Sequence, residues 1–137
     1  MILALTFVYS LIVGFMIFFM SVVTPSVFKI LDEINSRNFL RFIFPRMFLY
    51  GFILSFVALL LSIYMRDQLL ILISVFISIL FLINTYIITP KINLHRDQFK
   101  DGVMESEKVF KRFHLISVLI FLVQLISAIS AIIVNNL

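Results

Sequence analysis

Four apolar runs, roughly residues 1–24, 47–65, 69–89 and 115–137, fill most of the chain, and none carries a Lys, Arg, Asp or Glu inside it. Each is close to the ~20 residues an α-helix needs to cross ~30 Å of hydrocarbon. Lipid offers no partner to a backbone N–H or C=O, so such runs must pair those groups internally, as helices do. The expectation is a single all-α domain over residues 1–137: a transmembrane four-helix bundle made of two helical hairpins, with short interfacial helices in the cytoplasmic segments 25–46 and 90–114. Composition agrees, since 63% apolar residues, 13% charged residues and a mean hydropathy of +1.19 lie outside the range of a soluble domain.

The basic residues fix an orientation. Lys29, Arg37, Arg41 and Arg46 follow the first run, Lys91, Arg96, Lys100, Lys108, Lys111 and Arg112 follow the third, and only Arg66 follows the second, so ten of eleven lie on one side. The positive-inside rule then places both long segments in the cytoplasm and both termini, with the Arg66-Asp67-Gln68 turn, outside. The expected location is a bacterial inner membrane, crossed four times. The first run lacks a basic leader and a small-x-small cleavage site, so it reads as a retained first helix.

Several function classes drop out. The net charge of +4 is juxtamembrane and interleaved with Asp32, Glu33, Asp97, Asp101, Glu105 and Glu107, which suits lipid headgroups and not nucleic acid. With no cysteine there is no disulfide, thiolate metal site or cysteine nucleophile. No titratable carboxylate, Lys or Arg lies at depth, which argues against a proton relay or voltage sensor. No nucleophile, base and orienter come together in the pattern, so no catalytic residue is assigned and a non-enzymatic protein is expected.

The chain looks like two copies of one hairpin. Thr24-Pro25-Ser26-Val27 closes the first run and Thr89-Pro90-Lys91-Ile92 the third, with Asp32 and Asp97 each seven residues beyond the Pro. Phe44-Pro45-Arg46-Met47-Phe48 and Phe110-Lys111-Arg112-Phe113-His114 reopen the following crossings. Thr24 and Thr89 read as caps of cytoplasmic helices with Pro in the first turn. Val27, Ile30, Leu31 and Ile34 fit an interfacial amphipathic helix that Asn35-Ser36-Arg37-Asn38 interrupts, Pro45 marks the start of the second crossing, and Gly102 breaks the other segment.

Between helices in lipid, small residues at four-residue spacing mark packing faces. The first crossing offers Thr6, Ser10 and Gly14, the second Gly51, Ser55, Ala58 and Ser62, the third Ser74 and Ser78, and the fourth Ser127 and Ala131. The polar candidates are Asn84, Gln124, Ser117, His114 and Arg96. Asn84, Gln124, Ser117 and His114 fit either interhelical hydrogen bonds or the lining of a cavity between the third and fourth helices, while Arg96 reads as a partner of the cytoplasmic carboxylates. His95 and His114 are the only imidazoles, and a haem or metal role for them is the weakest of the readings.

Three short stretches resemble a family of small four-helix membrane proteins that includes eukaryotic transmembrane protein 205 and many bacterial proteins of unassigned function. They are Pro25-Ser26-Val27-Phe28, the stretch from Asn84 to Pro90 with Ile92 and Arg96-Asp97 beyond it, and Phe113-His114-Leu115-Ile116-Ser117. The resemblance implies four crossings and weight on Pro25, Pro90, Arg96, His114 and Ser117, and it brings no reaction. In that family an Asn follows the His-x-x-Ser segment, where this chain has Phe121 and Leu122, with Gln124 as the nearest amide.

The expected activity is therefore that of a membrane protein working through helix contacts, as a homo-oligomer or as a small accessory subunit of a membrane complex, with no cofactor and the lipid bilayer as its constant partner. The alternative is a transport or ligand-binding module in which Asn84, Gln124, Ser117 and His114 line a polar cavity.

Overall fold

Six α-helices and two π-helical turns account for nearly the whole chain in the computed structural model, which describes residues 1–137. α1 (Ile2–Phe18) passes through a π-turn, Phe19–Val23, into α2 (Thr24–Ile30); α3 is Glu33–Met65. α4 (Gln68–Ile83) passes through a second π-turn, Asn84–Ile88, into α5 (Thr89–Lys100), and α6 is Ser106–Asn135. These join into four rods, Ile2–Ile30, Glu33–Met65, Gln68–Lys100 and Ser106–Asn135, each long and apolar enough to cross a membrane. The protein is an all-helical, multi-pass membrane protein with four crossings.

Helices fill the two segments between crossings as expected, and they are continuous with the crossings: α2 and α5 prolong the first and third rods, and α3 begins at Glu33, ahead of the second apolar run. Asn35–Asn38 does not break the second rod. The break falls at Leu31-Asp32, where the Asp32 carboxylate accepts the Asn35 N–H at 3.2 Å and caps α3. Pro45 lies inside α3, where a proline removes the bond to the carbonyl four residues back. At that turn the Arg46 guanidinium donates to the Phe42 carbonyl at 2.9 Å.

Thr24 and Thr89 do not cap helices either. Each ends a π-turn, its N–H bonding five residues back to Phe19 or Asn84. A proline ring normally clashes with the preceding turn, and a widened turn moves those carbonyls aside. Pro25 and Pro90 thus sit in the first turn of α2 and α5 without ending the rod.

The turns follow local chemistry. Arg66 adopts a left-handed conformation (φ 58°), with its N–H on the Ile63 carbonyl and that of Asp67 on the Ser62 carbonyl; Asp67 then caps α4 through the Leu70 N–H at 3.0 Å. Gly102, at φ +97°, closes α5 in the same way, as its place in the sequence predicts.

Neighbouring rods are antiparallel. α3 packs most extensively on α4, α1 packs on α3 and α6, and α4 and α5 pack on α6; α1 and α4 lie diagonally, as do α3 and α6. Residues 65 apart do the same job in the two diagonal rods. Leu5 and Leu70, Tyr9 and Ser74, Ile12 and Ile77, Met16 and Phe81, and Phe19 and Asn84 are all buried, and the two π-turns are offset by the same interval. The hairpin repeat seen in the boundary motifs extends through the crossings.

The small-residue rows of the second and third crossings form the α3–α4 seam. Ser78 bonds to Ser55 at 2.8 Å, and Ser62 approaches Ser74 at 3.4 Å. Ser74 also donates to the Leu70 carbonyl at 2.8 Å, so its single proton is committed and the Tyr9 hydroxyl donates to it at 2.7 Å across the bundle. On the fourth crossing Ala131 is buried and Ser127 partly so. The first crossing differs: Thr6 accepts from Asn135 at 2.8 Å, while Ser10 and Gly14 face outward and nothing lies within 4 Å of a Cβ added at Gly14. Within the chain those two residues pack nothing.

Gly51 is the tightest point of the seam, because a Cβ there would overlap the ring of the fully buried Phe81. Phe15 stands behind that ring at 6.2 Å between centroids. Gly51→Ala should lower stability by about 1–3 kcal/mol through overpacking, and pairing it with Phe81→Leu should recover most of the loss. Thermal unfolding in mild detergent tests this; a Gly51→Ala variant as stable as the parent would mean that the ring yields freely.

Candidate functional site

At the end of the bundle that carries the basic residues, the helices separate around a cavity of about 350 Å³. This is within the usual range of small-molecule sites, ~300–1,000 Å³. All four rods contribute to it. Phe19 and Thr24 come from the first, Phe44, Met47 and Phe48 from the second, Thr89 and Ile92 from the third, and Ser117 and Phe121 from the fourth.

The backbone explains the space. Toward the chain termini α1 lies against α6, held by Asn135 donating to the Ile2 carbonyl (3.0 Å) and the Thr6 hydroxyl. Beyond the first π-turn, α2 packs on α3 and not on α6. The gap this leaves is edged by Met20 and Phe28 of the first rod and Val118 and Leu122 of the fourth, all exposed. The cavity thus opens sideways, between the first and fourth rods, onto the face that meets lipid.

One end of the cavity is cationic. Arg41 and Arg96 line it together with Asn93 and His114. Arg41 reaches the Asp97 carboxylate at 2.7 Å and the Asn93 carbonyl at 3.4 Å, while its buried Nε has no partner. Arg37, one turn earlier on α3, pairs with Glu33 at 2.5 Å, and its buried Nη1 is also unpartnered. Arg96 lies over the Phe110 ring at 4.7 Å and forms no ion pair, although it stands in the repulsive fields of Arg37 and Arg41 and the weaker attractive fields of Asp97 and Glu33. Three guanidinium groups therefore share two carboxylates.

Of the five polar residues singled out in the sequence, Arg96, His114 and Ser117 come together in this cavity, and Asn84 and Gln124 do not. Gln124 is fully buried deeper in the bundle, where its amide donates to the Ile77 carbonyl at 3.4 Å. Asn84 is fully buried at the start of the second π-turn, with neither amide atom hydrogen-bonded. A cavity confined to the third and fourth helices is thus replaced by one that all four enclose, with mostly apolar walls. His95 stacks on Phe113 at 5.8 Å and His114 lies against Phe110 at 6.2 Å, so the two imidazoles meet different rings. No three His, Asp or Glu side chains gather as a metal site.

Arg41 and Asn93 were not legible as lining residues. Arg41 looks like one more juxtamembrane cation, and only the arrangement of α3 against α5 brings it to Asn93 and Asp97. Pro25 and Pro90 were the available signal, since each follows a π-turn, and beyond the first of these the rod no longer packs on α6.

The family model for a domain of unknown function, DUF4149, matches residues 7–101, and the chain belongs to that family. The match takes in the first three rods as far as the turn after α5. Neither a curated protein nor a solved structure matches the chain.

The Arg41–Asp97 pair joins the two hairpins, with both side chains half-exposed. Exposed pairs contribute about 0–1 kcal/mol, and Asp97→Asn should cost no more than that. Chemical unfolding of the variant in detergent measures it; a loss several times larger would make this pair the main tie between the hairpins.

Proposed function

We propose that the protein is a non-enzymatic, membrane-embedded binding module that takes an apolar or amphiphilic small molecule from the bilayer into the cavity at its basic end. The observation that carries this is the sideways opening between Met20 and Phe28 on one rod and Val118 and Leu122 on the other, which connects apolar walls to the lipid-facing surface. With the basic end in the cytoplasm, as the positive-inside rule favours, the opening faces the inner leaflet. The likeness to the transmembrane protein 205-like family fits, since three of the residues that carry it, Arg96, His114 and Ser117, line the cavity.

Ser117→Trp would place an indole in the cavity while leaving the α3–α4 seam untouched. Native mass spectrometry of protein released gently from its own membrane should find one lipid-sized adduct per chain, lost in Ser117→Trp at unchanged helix content. No adduct on the parent, or equal retention by the variant, would refute the reading.

A second reading, assembly through helix contacts as a homo-oligomer or accessory subunit, draws on Ser10 and Gly14. This small-residue pair is exposed on the bundle's outer face and does no packing inside the chain. Gly14→Leu should then shift the protein to a smaller species in blue-native electrophoresis; unchanged migration removes this face as an assembly surface.

A further inference from the structure

The cavity joins two environments that a purely apolar ligand would not need together. One end is walled by Phe19, Phe48 and Phe121, and the other by Arg41, Arg96 and Asn93. A cation facing an apolar cavity is costly unless an anion meets it. The protein provides only part of that anion: Asp97 is taken by Arg41 and Glu33 by Arg37, and Arg96 has no carboxylate within ion-pair distance. Arg41 Nε is buried without an acceptor, so donor capacity at this end exceeds what the chain satisfies.

Guanidinium groups in this number fit an oxyanion, which accepts several charge-assisted hydrogen bonds at once. We infer that the cavity binds one amphiphile with an anionic oxygen headgroup, phosphate or carboxylate, seated against Arg41 and Arg96, with its apolar chain between the phenylalanines. This rests on the binding-module reading and deepens it by naming the ligand's charge and polarity. A volume of about 350 Å³ suits a headgroup linkage and part of one chain, and the remainder would extend through the sideways opening into the leaflet. Such a ligand needs no route through water.

Arg96 is the residue on which to test this, because substituting it strands no partner: it has no ion pair to lose. The experiment is native mass spectrometry of delipidated full-length protein titrated separately with phosphatidylglycerol, with phosphatidylcholine of the same acyl chains and with inorganic phosphate, on the parent, Arg96→Gln, Arg96→Lys and Ser117→Trp. The expected result is a first phosphatidylglycerol bound about tenfold more tightly than phosphatidylcholine. Arg96→Gln should lose that preference while keeping phosphatidylcholine binding, and Arg96→Lys should keep part of it. Ser117→Trp should weaken binding of both lipids.

Equal affinity of the parent for the two lipids, with binding still lost in Ser117→Trp, would overturn the anionic headgroup and leave the binding module standing. Binding of inorganic phosphate as tight as that of phosphatidylglycerol would make the ligand a free anion and overturn the amphiphile. Lipid binding that Ser117→Trp leaves unchanged would place the lipid elsewhere and remove both readings together.

Discussion

Lipid tails are as apolar as these helices, so no hydrophobic drive brings them together, and this bundle depends on the places where backbones come close enough to pack tightly and for hydroxyls to meet. Those places lie in one half of the molecule. Gly51, Ser55, Ala58 and Ser62 bring α3 against α4, and the Tyr9 hydroxyl spans the bundle to Ser74. Asn135 ties the end of the fourth rod to the start of the first. Each hydrogen bond is worth only ~1 kcal/mol, yet together with close packing they are what lipid cannot supply. Toward the basic end no such row continues on the first rod, and there α2 parts from α6.

The π-turns let two of the rods carry a proline without ending. A helix that met Pro25 or Pro90 in its regular course would break or kink sharply. The five-residue wide turn lets the rod continue past the proline, with its backbone bonds closed over a longer loop. A rod closed against its neighbour in one half and free of it in the other is the result. The cavity is therefore a property of the backbone path, and its contents are set by the side chains that happen to lie at that depth: aromatic rings below, guanidinium groups above.

Much of the fold was legible because membrane folding rests on few rules. The four crossings, the two hairpins and the faces of the second and third helices follow from apolar run length and small-residue spacing. The helix ends were less legible. Asn35–Asn38 suggests a break by its composition, but Asp32 is three residues before the N–H it caps, and a cap outweighs modest propensity losses within the helix that follows. The site was readable in part. His114 and Ser117 read as lining residues and do line the cavity, Arg96 is marked only by the family resemblance and as an ion-pair partner, and Asn84 and Gln124 look like lining residues because polarity in an apolar run invites that reading. Both are fully buried between helices and stay out of the cavity wall, and sequence spacing carries no information about where two rods diverge.

The bond between Tyr9 and Ser74 connects the same position of two repeated halves, at the point where the diagonal rods face each other. Identical residues could not occupy it well. Two tyrosines would collide across the bundle axis, and two serines would not reach. One large and one small side chain fill the distance, a combination that a symmetric pair of separate hairpins can never present, since both copies must carry the same residue. Leu5 with Leu70 and Ile12 with Ile77 show that identical residues pack on either side of this level, so it is the polar tie, and not the packing of the centre, that required the two halves to diverge.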